Sequence, residues 1–236
     1  MLVAEVHGEP VAVISCVCYD DAFGFAGQYI ARPEFRGRGF GLRLYSAGMA
    51  RLGGRNVGLD CLLDQVGTYE RAGFRPAHSH VRYVGTPTGN PAPGLTRIDA
   101  VPFSDVLAYD RQCFPAAREP FLRSWLAQTE SVALGFLREG KLAGFGAVRP
   151  AVRGFRVGPL FADDAEAAEA LLLGLAKEVT GPLGIDVPDA TTHATAEALV
   201  TRCGMTEQFR CARMYTSGPP TFAQEKVFGV TSLELG

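Results

Sequence analysis

Arg36-Gly37-Arg38-Gly39-Phe40-Gly41 joins two different kinds of sequence. Before it, residues 23–30 are apolar and aromatic and lead into Arg32-Pro33, which reads as a strand entering a turn. After it, Leu42, Tyr45, Met49 and Leu52 recur at helical spacing, which predicts a helix over residues 41–52. A helix N-terminus carries unpaired backbone N–H groups and a partial positive charge. Glycine lets such a backbone approach an anion closely, and Arg36 and Arg38 add charge that pairs with phosphate oxygens. The loop is therefore expected to cradle a pyrophosphate. It lacks the Lys-Ser/Thr ending of a Walker loop. It also lacks the third glycine of a dinucleotide fingerprint, since Leu42 and Leu44 stand where that glycine belongs.

Outward from the loop, residues 2–6 and 11–19 are apolar, β-branched runs on either side of His7-Gly8-Glu9-Pro10, a hairpin pattern. Residues 57–63 and 78–84 read as further strands, with a short helix over 66–72 ended by Gly73. The stretch from Gly85 to Gly94 holds three prolines and three glycines and no apolar period, so residues 85–94 form a linker. Beyond it the same order returns. A hairpin spans residues 132–137 and 142–148, then comes a strand over 155–161 and a helix over 165–179. A strand over 183–187, a helix over 195–203 and a strand over 208–215 complete the series. Gly8 registers with Gly140, Gly27 with Gly158, Ala31 with Ala162 and Gly73 with Gly204, each pair 131 or 132 residues apart. Four landmarks at one spacing make an internal repeat. The second copy also has a strand over 95–99 and helices near 104–113 and 120–128 ahead of its hairpin, which the first copy lacks.

The bulk properties narrow the function classes. The chain has 236 residues, 47% of them hydrophobic and 20% charged, with a net charge of −2. That balance gives no support to nucleic-acid binding or to an anionic membrane as partner. The six cysteines contain no C-x-x-C pair, and Cys16 and Cys18 are expected as buried thiols of a reducing, cytoplasmic compartment. His78 and His80 share a strand face without an evident third ligand, so a solvated pair is expected and no metal site. Cys61 has no neighbouring histidine and reads as a buried thiol.

Arg36-x-x-Gly39-x-Gly41, between a strand and a helix, resembles the R/Q-x-x-G-x-G/A motif of the GCN5-related N-acetyltransferases (GNAT). Tyr69-Glu70-Arg71-Ala72-Gly73-Phe74 resembles that family's Tyr-x-x-x-Gly-Phe signature. Gly158-Pro159-Leu160-Phe161-Ala162-Asp163 and Phe228-Gly229-Val230-Thr231 look like a bacterial subgroup with tandem domains. The resemblance implies an α/β fold with a mixed sheet. Two tandem GNAT-like domains would span residues 1–84 and 95–217, the first without its N-terminal strand and helices, and residues 218–236 would form a strand-like tail. It implies acetyl-coenzyme A as co-substrate, no metal, and direct transfer of the acetyl group to an amine of a small molecule or peptide. By position, Tyr69 would protonate the leaving thiolate. Ile30 and Ala31 would lend backbone groups to the pantetheine arm. Arg36 and Gly37, with the backbone N–H groups of Arg38, Gly39, Phe40, Gly41 and Leu42, would hold the pyrophosphate. The general base is left open between Asp60 and Asp64.

In the second copy the loop is replaced by Asp163, Asp164 and Glu166, whose charge would repel a pyrophosphate, and Val200 stands in register with Tyr69. That copy is expected to keep the fold without the chemistry, leaving one cofactor site per chain. The strand over residues 2–6 is expected to be an apolar sheet edge in need of cover. An upstream segment, the C-terminal tail or a homodimer would each supply it. A non-catalytic acyl-coenzyme A-binding or scaffold protein is the rival to the enzyme.

Overall fold

The computed structural model describes the whole chain, Met1–Gly236. Its elements run β1 (Leu2–Val6), β2 (Glu9–Cys18), β3 (Phe23–Ala31), α1 (Phe40–Leu52), β4 (Asn56–Leu62), α2 (Val66–Arg71) and β5 (Arg75–Gly85). They continue with β6 (Leu95–Arg97), α3 (Phe103–Cys113), α4 (Glu119–Leu126), β7 (Val132–Arg138), β8 (Lys141–Pro150), β9 (Phe155–Ala162) and α5 (Ala165–Lys177). The series ends with β10 (Leu183–Pro188), α6 (Ala190–Arg202), β11 (Thr206–Tyr215) and β12 (Val227–Gly229). The hairpin turns at His7-Gly8 and Glu139-Gly140 all carry positive φ, the turn geometry that matches strand twist. The repeat is thus written into the backbone as well as the sequence.

Two compact units are present, and they are not two contiguous segments. The first consists of Met1–Ala77, Ala212–Pro219 and Leu233–Gly236; the second of His78–Cys211 and Pro220–Ser232. In the first unit the strands follow the order β1-β2-β3-β4, with the C-terminal part of β11 beside β4. Val57 and Thr216 exchange bonds there: Val57 N–H donates to Thr216 Oγ1 at 2.9 Å and Thr216 N–H to the Val57 carbonyl at 3.1 Å. Helix α1 packs on β2 and β3, and Ile14, Leu52, Val57 and Met214 form the buried centre. In the second unit the order is β5-β10-β9-β8-β7-β6, with β12 on β9, and α5 covers β7, β8 and β9. Leu160, Leu171, Leu172, Leu175 and Ile185 are fully buried in its core.

Several expectations need correcting. The tail is a strand only over Val227–Gly229, and its remainder turns. It does not cover β1; Glu234 packs against Gly27 of β3, and the Tyr19 hydroxyl, in the turn before β3, donates to the Leu235 carbonyl at 2.7 Å. Helix α6 is kinked at His193 (φ −150°, ψ 74°), so the helix expected over residues 195–203 is its part after the kink, and a short turn before it is capped by Asp189, which accepts from Thr192 N–H at 3.2 Å. His80 is buried, with its Nε2 at 3.3 Å from that of His78, so the two are not a solvated pair. Cys18 is exposed although Cys16 is buried.

Candidate active site

The first unit contains a gap in its sheet. β3 pairs with β4 only from Phe23 to Phe25, opposite Asn56 to Gly58. On the other side of β3, Val13 faces Ile30 and Ser15 faces Gly27, so Ile14 stands opposite both Gln28 and Tyr29. This is a bulge, with Gln28 at φ 49°, and bulges bend a strand and re-aim its side chains. Past it, Ile30 and Ala31 face a gap towards β4 in place of a neighbouring strand.

The loop lies beyond the end of β3. Gly39 precedes α1 at φ 80°, a conformation that costs other residues about 1–3 kcal/mol. No side chain caps this helix. Its first N–H groups are therefore available to an anion, as they are at any helix start without a cap. Arg36 donates from Nε to the Ala31 carbonyl at 3.0 Å, which ties the loop to the strand end. The Arg38 guanidinium rests over the Phe35 and Phe40 rings at 5.2 and 5.3 Å. Gly41 lets the Tyr29 hydroxyl sit against α1, since a Cβ there would lie 2.7 Å from its oxygen.

A cavity of about 930 Å³ opens between these elements. Of the residues singled out in the sequence, Ile30, Ala31, Arg36, Leu42 and Tyr69 line it together. Gly37, Arg38, Gly39, Phe40 and Gly41 do not line it; they form the loop and the helix start beside it. Sequence reasoning had left out Arg71, Tyr29 and Tyr45, which also line it. Tyr45 was counted only as an apolar face position of its helix, and nothing in the helical period distinguishes a core ring from a cavity wall.

Tyr69 packs edge-on against Phe74 at 5.9 Å. Burial, with smaller contributions from Cys61, Tyr29 and Tyr45, pushes its phenol up to about 12. The phenol is therefore protonated across the neutral range. Burial also raises Tyr29 and Tyr45. The Tyr45 hydroxyl is buried and has no partner within the protein.

Tyr29, Tyr45 and Tyr69 also line a second, smaller cavity of about 380 Å³, with Asp60, Cys61 and Glu234. Asp60 had been held open as a base. It accepts both arms of Arg213 at 2.7 and 2.9 Å, with its side chain 1% exposed, so it is committed to a buried ion pair. Asp64 is exposed and lines neither cavity. Cys61 is buried, and burial pushes its thiol up to about 11, the opposite of what a nucleophile needs.

The same place in the second unit is closed. β9 pairs with β10 only from Phe155 to Val157, opposite Leu183 to Ile185, so the strands part as they do in the first unit. There β12 fills the gap: Val227 faces Phe161, Gly229 faces Leu160, and Val230 N–H donates to the Asp186 carbonyl at 2.9 Å. Gly158 admits this segment, since a Cβ would lie 2.4 Å from the Thr231 oxygen. Helix α5 starts on Asp164, whose Oδ1 accepts from Ala167 N–H at 3.0 Å. Arg138 pairs with both Asp164 and Glu166, and its hydrogen bond holds Asp164 below the usual carboxylate range. Val200 is fully buried.

Comparison with known proteins gives a consistent picture. The acetyltransferase (GNAT) domain model matches residues 106–229, and the acetyltransferase (GNAT) family model matches residues 1–74. The chain is 28% identical over 233 residues to the holothin acyltransferase of Pseudoalteromonas sp. (strain SANK 73390), covering 98% of this chain and 79% of that one. The fold is similar to that of a candidate acetyltransferase of Pyrococcus horikoshii, with a TM-score of 0.85 and 21% identity, covering 99% and 79% of the two chains. It is also similar to a tandem GNAT protein from the clavulanic acid biosynthesis pathway, with a TM-score of 0.62 and 16% identity over 93% and 83%.

Proposed function

The chain belongs to the acetyltransferase (GNAT) family, and within that acyl-transferring family we propose that it moves an acetyl group from acetyl-coenzyme A directly to an amine. One observation carries the proposal. A helix start without a side-chain cap and a gap in the same sheet meet at one cavity, and Tyr69 stands on its wall. The residues present fit this co-substrate. The N–H groups of Arg38 to Leu42 and the Arg36 guanidinium suit a pyrophosphate. Ile30 and Ala31, without a neighbouring strand, suit the amides of a pantetheine arm, which pair with backbone as an added strand does.

The chain's own residues then have three tasks. The loop and strand end fix the thioester, so that the reaction with the amine becomes effectively intramolecular. Tyr69 gives its proton to the sulfur as the C–S bond breaks, a role its raised pKa keeps it ready for. The smaller cavity, which shares Tyr29, Tyr45 and Tyr69 with the larger one, receives the acceptor. The second repeat, with its gap filled and its helix capped by Asp164, takes no co-substrate, so one acetyl-coenzyme A binds per chain.

Calorimetric titration of acetyl-coenzyme A against the parent and Gly39→Glu tests the reading. The parent is expected to bind with a stoichiometry of one, and the variant to lose binding while keeping its circular dichroism spectrum. The added carboxylate would meet the phosphates, and its φ is strained. A parent that binds the co-substrate but releases thiol with no amine would favour the scaffold role. Equal binding by Gly39→Glu would overturn the loop assignment.

A further inference from the structure

Tyr29 belongs to neither signature motif, yet the fold fixes where its hydroxyl lies. It follows Gln28, the positive-φ residue of the β3 bulge, and its ring meets that of Tyr45 on α1 at 5.8 Å. The far end of the phenol reaches the first turn of α1: a Cβ on Gly41, the second residue of that helix, would lie 2.7 Å from the Tyr29 oxygen. No group of the chain hydrogen-bonds that hydroxyl. Burial raises its pKa, so it keeps its proton, and its capacity to donate, through the neutral range. Tyr29 is 39% exposed and lines the larger cavity, whose charged lining residues are Arg36 and Arg71, with no carboxylate among them. A cavity of that charge attracts an anion. The second unit, whose gap β12 fills, has a different residue at this place. Counted back from Ala31 and Ala162, Tyr29 registers with Leu160, which is fully buried, and the second residue of α5 is Glu166. A leucine therefore serves the packing of this strand position, and the hydroxyl goes with the open copy alone.

We propose that Tyr29 is a further co-substrate-binding residue, whose hydroxyl donates a hydrogen bond to a pyrophosphate oxygen held at the start of α1. The assignment rests on the acetyl-coenzyme A reading above, and it adds a side chain to a site built there from backbone N–H groups and an arginine. A bond from a neutral donor to a phosphate oxygen is charge-assisted, so it outweighs an ordinary hydrogen bond. Gly41 makes room for it, because a side chain at that position would have to displace the phenol. The pyrophosphate keeps its charge while the thioester reacts, so the bond is as strong in the ground state as in the transition state. It therefore lowers KM for acetyl-coenzyme A and leaves kcat unchanged.

Calorimetric titration of coenzyme A, with phosphorus NMR of the bound molecule, tests this on the parent, Tyr29→Phe and Tyr29→Leu. Tyr29→Phe keeps the ring and removes only the hydroxyl oxygen. It should weaken binding by roughly 10-fold or more and leave the melting temperature unchanged. Tyr29→Leu, which carries the residue of the second copy, should lose at least as much. At saturation the pyrophosphate resonances should move between the parent and Tyr29→Phe, while the 3′-phosphate resonance stays. Equal affinity in Tyr29→Phe would sink the Tyr29 role and leave the co-substrate reading standing. Weaker binding with only the 3′-phosphate resonance moved would put the hydroxyl on another phosphate and overturn the assignment. Weaker binding with no resonance moved would reduce Tyr29 to a packing residue. A parent that does not bind coenzyme A would take down both readings.

Discussion

Tyr69 sits on a helix of only six residues, and its usefulness depends on what surrounds it rather than on that helix. Phe74 and Cys61 pack beside it, Tyr29 and Tyr45 share its cavity wall, and together they hold the phenol in its neutral form up to about 12. A group that must donate a proton to sulfur is therefore charged with one through the whole working range. Two outcomes follow at this scale. Tyr69→Phe should lower kcat by about 100-fold or more while leaving acetyl-coenzyme A affinity within a few-fold, as for the loss of a general acid. In the parent, kcat should show no alkaline decline below pH 10 that belongs to this residue. A limb near pH 9 that disappears in Tyr69→Phe would mean an ordinary phenol and a wrong environment. The sign for stability is fixed by the same shift. The folded-state pKa lies above the unfolded value of about 10, so the stability tied to the neutral phenol is complete below pH 10. It drains away as pH rises towards 12.

Two elements in register, α1 and α5, show how one fold keeps or gives up an anion site. Helix α1 begins on glycine and no side chain caps it; α5 begins on Asp164, which satisfies the Ala167 N–H and is itself paired with Arg138. The difference was legible in the sequence, because residue types at a helix start act locally and their charge sign can be read off. The repeated strand and helix order was legible for the same reason, being set by short periods and turn residues. The filling of the second gap by β12 was not. The tail over residues 218–236 was expected to be strand-like, but its pairing with β9, 65 residues away in sequence, covers only Val227–Gly229. Asp164→Ala should therefore cost about 1 kcal/mol in denaturant unfolding, the usual worth of an N-cap. The exposed ion pairs with Arg138 add little to that. Thiol release should stay at the parent level. A drop in turnover without a loss of stability would mean that α5 serves the chemistry after all.

At the scale of the whole chain, the first unit is not built from the first repeat alone. It draws Ala212–Pro219 and Leu233–Gly236 from more than 130 residues downstream. These segments are structural parts of it: Met214 is fully buried in its core and Ala212 nearly so, and Arg213 holds Asp60 in a pair that is almost wholly out of water. No local pattern announces such a partner, since a buried aspartate next to its arginine and a solvated strand-end acid look alike in sequence. This is why Asp60 read as a candidate base and proved to be an anchor. The consequence is testable on fragments. Residues 1–84 carry both signature motifs, yet they leave the Asp60 carboxylate without its arginine and one side of β4 without its neighbour. Losing one partner of a buried pair costs about 3–5 kcal/mol, a large share of what holds a small domain together. The fragment 1–84 should therefore show no cooperative thermal transition and no acetyl-coenzyme A binding, although its loop is intact. In the full chain, Asp60→Asn should lower the melting temperature far more than it lowers kcat in the protein that remains folded. A fragment 1–84 that melts cooperatively and binds the co-substrate would show that the downstream segments are accessories and that the first repeat carries its own core.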